Sequence, residues 1–146
     1  MKDFIPYGKQ NIDQNDINEV INVLSSNYLT QGPLVGEFEN NICDKLSPEY
    51  AIAVNSATSA LHIACMALGI NENDIVWTSP NSFVASANCA LYCGAKVDFV
   101  DIELTTYNMS VAALEKKLLK AEKNGNLPKV LIPVHFAGQP CGMEAI

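Results

Sequence analysis

The sequence predicts an α/β fold, a mostly parallel sheet with helices on both faces. Three observations carry that prediction. Short β-rich apolar runs recur along the chain: AIAV (51–54), IVWT (75–78), KVDFV (96–100) and VLIPV (130–134). Helix-length segments separate them. The composition, 49% hydrophobic and 17% charged over 146 residues, suits one domain with a real core.

The elements follow in order. Ile17, Val20, Ile21 and Leu24 form the i, i+3, i+4, i+7 stripe of an amphipathic helix over residues 13–25, with Asp13 as N-cap. NYLTQGP (27–33) is polar and closes on Gly32-Pro33, so it reads as a loop. A second helix carries Val35, Phe38, Ile42 and Leu46 on one face. After AIAV, a nearly uncharged helix runs from Thr58 to Leu68 and stops at Gly69. IVWT is followed by a helix from Ser82 to Tyr92, ended by Gly94. KVDFV is followed by a helix capped by Ser110 and bearing Val111, Leu114 and Leu118. VLIPV leads to a further helix near Met143. A four-stranded parallel sheet with a bare edge is a poor stopping point, so the chain is expected to be the front part of a longer protein.

Net charge is −7, and all nine cationic residues are Lys. A nucleic-acid interface needs a basic stripe, and none is present. The longest apolar run is too short to span a bilayer. The opening MKDFIPYGKQ has no apolar h-region, which makes the cytoplasm the expected compartment and the five Cys reduced thiols. Cys89 and Cys93, with Cys65 nearby, could be considered for metal. The paired C-x-x-C spacing is missing, so packing thiols are expected and no metal.

In parallel α/β sheets ligands sit at the carboxyl ends of the strands. VNSATS (54–59) is such a strand-to-helix turn. Its Ser56, Thr58 and Ser59 hydroxyls and its free N–H groups suit a phosphate. An ordinary N-cap explains the same residues. The turn is neither G-x-x-x-x-G-K-[ST] nor G-x-G-x-x-G, which disfavours ATP and NAD. TSPNSF brings Phe83 to the same rim, either to stack on a planar ring or to enter the core. Asp101 and Glu103 occupy the third turn. His135 occupies the fourth, as a polar contact at the rim or, the expectation here, a satisfied buried imidazole.

Taken in order and spacing, NYLTQGPLVGEFE, AVNSATSALH, SPNSFVASANCALYCGA, FVDIE and IPVHFAGQP resemble the DegT/StrS family of nucleotide-sugar aminotransferases. The resemblance covers essentially the whole chain. It implies the N-terminal part of a fold-type-I large domain that uses pyridoxal 5'-phosphate. Residues 1–33 would be an N-terminal helix and substrate-side loop, and 34–146 an incomplete cofactor-binding domain. IPYGKQ, YLTQGP, SFVASAN and VHFAGQPC are most similar to the pseudaminic acid branch. That branch aminates the C4 ketone of a UDP-linked 4-keto-6-deoxy sugar, with glutamate as donor.

By the same resemblance, Ser56, Ala57 and Thr58 hold the cofactor phosphate and Phe83 stacks on the pyridine ring. Tyr7, Asn27, Tyr28, Leu29, Thr30 and Ala57 lie against the nucleotide-sugar. The Schiff-base Lys and the Asp for the pyridinium nitrogen are expected beyond Ile146, and none of the nine Lys stands in such a context. The chain alone should therefore bind cofactor weakly and catalyse nothing. A homodimer is expected for the full-length parent. Two other outcomes stay open: a 4-keto-sugar dehydratase of the same family, with His in place of that Lys, or a catalytically dead phosphate-binding protein.

Overall fold

The computed structural model describes residues 8–146. Tyr7, expected against the substrate, lies outside them. The chain divides into two compact units, one running to Ala53 and one from Val54 to Ile146.

In the first unit, α1 (Gln14–Leu24) starts on a reciprocal capping box. The Asp13 carboxylate accepts the Asn15 and Asp16 N–H groups at 2.7 and 3.2 Å, and Asp16 accepts the Asp13 N–H at 2.9 Å. α2 (Pro33–Leu46) begins on the proline itself, so the predicted loop ends one residue earlier. Proline's fixed φ and missing N–H suit that first position. Both predicted apolar stripes are helical, yet Ile17, Val20, Ile21, Leu24, Val35, Phe38 and Leu46 are all exposed.

The expected strand AIAV is not a strand. Residues 51–54 join no ladder among the described residues. Instead the Ala53 N–H donates to the Glu39 side chain at 2.8 Å. Extended sequence alone cannot make a strand, because a strand exists only by pairing.

In the second unit, α3 (Ala57–Ala67) leads into β1 (Ile75–Thr78), α4 (Ala85–Tyr92), β2 (Lys96–Phe99), α5 (Val111–Lys123) and β3 (Val130–Ile132). The sheet has three strands rather than four, in the order β2-β1-β3, all parallel. β1 shows why helices cover both faces. Val76 packs with Cys65, Cys89 and Ala90 from α3 and α4, while Trp77 packs with Leu114 and Ala121 from α5. The period-two alternation of a strand sends neighbours to opposite faces. α3 stops where predicted, at Gly69 with φ +65°, a conformation glycine adopts without Cβ strain.

Several boundaries differ from expectation: α3 starts at Ala57 rather than Thr58, and β2 stops at Phe99 rather than Val100. α4 starts at Ala85, not Ser82: the Ser86 and Ala87 N–H groups bond back only three residues, to Phe83 and Val84, which makes a tighter turn first. β3 stops at Ile132 because Pro133 has no N–H to donate. The segment near Met143 is a single turn rather than a helix, closed by the Ala145 and Ile146 N–H groups on the Gly142 carbonyl.

Candidate functional site

α3 runs toward the amino edge of the sheet. Gly69, just past its end, gives its carbonyl to Lys129 Nζ at 2.6 Å, and the Lys129 N–H in turn bonds Ile75 at the start of β1. Leu61 and Cys65 lie along the sheet between these points. The first turn of α3 therefore stands on the side where the strands end. That is the side on which a parallel sheet presents ligands.

Ser56 is the N-cap of α3, and its Oγ accepts the Ser59 N–H at 3.2 Å. Ser59 donates its hydroxyl to Asn55 Oδ1 at 2.7 Å. The ordinary capping function is thus met by one oxygen. Among the described residues the Ala57 and Thr58 N–H groups have no acceptor, as helix geometry leaves its first donors. No carboxylate occurs between Tyr50 and Asn71. Free amides at the positive end of a helix, small side chains and no local acid fit a phosphate dianion.

Phe83 is 75% exposed, so it is not a core residue. It follows β1 at the carboxyl end of that strand. Beside it, Ser82 and Ser86 share a 2.6 Å hydrogen bond, and the buried Ser79 hydroxyl has no partner among the described residues. Tyr28 and Leu29, from the loop Asn27–Thr30, line a cavity of about 260 Å³ with Glu19, Asn22 and Val23. That cavity belongs to the first unit.

His135 departs from the expected buried imidazole. It is exposed, and its Nδ1 accepts the Cys141 N–H at 3.0 Å. Asp101 and Glu103 bond locally, to the Ile102 N–H and the Thr106 hydroxyl. Asn108 went unremarked in the sequence. It is 4% exposed and bonds three backbone groups of the segment after β3. Nothing in its spacing marks it apart from an ordinary loop Asn.

The five cysteines are unpaired thiols. Burial pushes the Cys65 thiol up to about 12, and the Cys89 thiol beside it adds to the rise. Among the described residues no three His, Cys, Asp or Glu side chains converge as metal ligands, and no helix is long and apolar enough to cross a membrane. A cavity of about 660 Å³ lies between α5 and the sheet. Ile75 and Lys96, the first residues of their strands, line it, which puts it away from the carboxyl-end rim.

Comparison with known proteins places the family and the fold. Residues 10–146 match the model of the DegT/DnrJ/EryC1/StrS aminotransferase family. The chain is 44% identical over 142 residues to the UDP-4-amino-4,6-dideoxy-N-acetyl-beta-L-altrosamine transaminase of Campylobacter jejuni, covering 97% of this chain and 36% of that protein. It thus spans little more than a third of that relative's length. Helicobacter pylori PseC, an aminotransferase involved in the biosynthesis of pseudoaminic acid, superposes with a TM-score of 0.80 at 31% identity, covering 97% of this chain and 37% of that one. A Streptococcus pneumoniae structure in its PLP form superposes with a TM-score of 0.83 at 28% identity, covering 97% of this chain and 34% of that one. The small parallel α/β unit is accordingly part of the aminotransferase fold that these relatives share. The chain belongs to the DegT/DnrJ/EryC1/StrS aminotransferase family.

Proposed function

We propose that the complete polypeptide carrying this sequence is a pyridoxal-phosphate-dependent transaminase. It moves an amino group from glutamate to C4 of a UDP-linked 4-keto-6-deoxy sugar, for pseudaminic acid or a related surface polysaccharide. The observation that carries the proposal is the first turn of α3, where Ser56 caps the helix and leaves the Ala57 and Thr58 amides free. The 44% identity to the Campylobacter jejuni transaminase supports the choice of sugar class. On this proposal the protein works in the cytoplasm as a homodimer.

Each residue then has a task. The Ala57 and Thr58 N–H groups and the Ser56 and Thr58 hydroxyls bind the phosphate as donors, and the helix terminus favours its charge. Phe83 orients the ring by stacking and keeps water off one face. Asn27, Tyr28, Leu29 and Thr30, with Tyr7 and Ala57, bind the nucleotide-sugar. Bound pyridoxal phosphate supplies an electron sink that lets an amino group be taken from one partner and given to the other. On this reading the lysine that would anchor it and carry the proton is none of the nine Lys of this sequence. Residues 1–33 serve the substrate side, and 34–146 the cofactor side.

The test is to incubate the purified complete protein with glutamate and the UDP-4-keto sugar. The expected products are 2-oxoglutarate and the 4-amino sugar in equal amounts. A deoxygenated keto sugar formed with 2-oxoglutarate and free ammonia, and no 4-amino sugar, would move the protein to the dehydratases. Absence of both, with no cofactor absorbance, would leave a phosphate-binding protein without chemistry.

A further inference from the structure

Past β3 the chain makes a tight turn, Phe136–Gly138, and this turn is held in an unfavourable shape. Ala137 has φ +51°, in the left-handed region where a Cβ crowds the following carbonyl oxygen. Tyr107, with φ +59°, shares the same strain and tilts its ring against Phe136 at 6.0 Å between centroids. Two strained non-glycine residues persist together only where the surroundings over-determine them, and such strain concentrates at functional sites.

Asn108 is what over-determines them. Its Oδ1 accepts the Phe136 N–H at 2.9 Å, and its Nδ2 donates to the Gln139 and Pro140 carbonyls at 2.9 and 3.1 Å. Three bonds from one buried carboxamide fix both ends of the turn. Cys141 closes it: its N–H donates to His135 Nδ1 at 3.0 Å and its thiol to the Val134 carbonyl at 3.2 Å. Because Nδ1 accepts a backbone N–H, the neutral imidazole carries its proton on Nε2. The ring is exposed, so that N–H donor stays available. It stands just past the carboxyl end of β3, which pairs with β1 through Thr78 and Ile132.

We propose that His135 Nε2–H donates a hydrogen bond to an anionic or carbonyl oxygen of the ligand held at this rim, and that Asn108 is the positioning residue that sets its loop. This rests on the proposed function, which puts the cofactor phosphate at the first turn of α3 and the sugar against Ala57 in that turn. The shared chemistry is an oxygen acceptor. The two sources are the cofactor and the substrate.

The experiment uses the complete polypeptide as wild type, His135→Phe, His135→Gln and Asn108→Asp. It measures the pyridoxal phosphate dissociation constant of the apoprotein by absorbance, KM and kcat for the UDP-4-keto sugar, and the thermal midpoint. His135→Phe is expected to weaken one ligand about tenfold, the worth of one net hydrogen bond, and to lower the thermal midpoint, because the buried Cys141 N–H loses its acceptor. His135→Gln, which can accept the Cys141 N–H and still donate, restores most of that affinity. Asn108→Asp keeps the acceptor for Phe136 and sets a carboxylate oxygen against two carbonyls, so it weakens the same ligand and lowers the midpoint. A change confined to the cofactor constant assigns the contact to the cofactor, and one confined to KM assigns it to the sugar. Unchanged affinities in His135→Phe, or equal losses in His135→Phe and His135→Gln, overturn the inference. Wild-type protein that binds no pyridoxal phosphate overturns the proposed function and this inference with it, whereas a binding wild type with indifferent variants overturns the inference alone.

Discussion

The hydroxyls of Ser56 and Ser59 stand 3.1 Å apart at the mouth of α3, and Ser56 also accepts the Ser59 N–H at 3.2 Å. One serine caps the helix while the amides of Ala57 and Thr58 stay open. Cap and socket are therefore separable by mutation. Ser56→Asp keeps a good N-cap but adds a negative charge where the phosphate would sit. Thermal unfolding of the complete protein should change by less than about 1 kcal/mol. Its affinity for pyridoxal phosphate should fall by more than about tenfold, or about 1.4 kcal/mol. Ser56→Ala should instead cost about 1 kcal/mol of stability with a smaller loss of affinity. Affinity unchanged in Ser56→Asp would place the phosphate elsewhere.

Phe83 tests the ring contact. Its side chain is exposed, so Phe83→Ala should alter stability by no more than about 0.5 kcal/mol. Loss of stacking should weaken cofactor binding by about 0.5–1.5 kcal/mol, read from the same absorbance titration. A large fall in melting temperature with intact affinity would make Phe83 a structural residue.

Acid sensitivity should trace to Asp98 and Asp74. Burial opposes ionisation of Asp98, but hydrogen bonds from Lys117 and the Phe99 N–H outweigh it, and its carboxyl sits below the usual range. Lys129 holds Asp74 down in the same way, with the Asn71 N–H adding to it. A carboxyl with a depressed folded pKa stabilises above its unfolded value, about 3.9, and that contribution is lost as pH falls through the folded value. Urea unfolding followed by the single tryptophan, Trp77, should therefore show stability dropping below about pH 4. Lys117 Nζ lies 2.7 Å from Asp98 and 4.6 Å from the centre of the Trp77 ring, so the emission should shift in the same window. Asp98→Asn should flatten part of that drop. An unaltered profile would show the pair to be inert.

Thiol chemistry should follow burial. Cys65, Cys89 and Cys141 are buried, whereas Cys43 and Cys93 are partly exposed. Alkylating reagents attack the thiolate, which a Cys65 pushed up to about 12 scarcely forms at neutral pH. Brief iodoacetamide treatment of native protein, mapped by mass spectrometry, should mark Cys43 and Cys93 first. Early labelling of Cys65 would mean that α3 and α4 open readily.

Much of this was legible one residue at a time. Asp13, Ser56 and Ser110 cap helices as their side chains predict, Gly69 ends α3 in the left-handed region, and IVWT alternates between two faces. These are local facts, set by side-chain hydrogen bonds and by the periods of helix and strand. Family membership was legible for a related reason: a long ordered set of short segments is specific even where each segment is weak. Other features depend on partners distant in sequence. AIAV has the composition of a strand but joins no ladder, its Ala53 N–H meeting Glu39 instead. Phe83 and His135 could each have been core, and burial is a property of what packs around a residue. Asn108 grips backbone groups 28 to 32 positions away. Sequence by itself determined the caps, stops and face alternation of this protein, because those are settled within one or two turns of chain. Only the tertiary structure decided which segments pair, which rings face solvent and which carboxamide holds the turn after β3, because long-range contacts form only when the sheet and its helices close together.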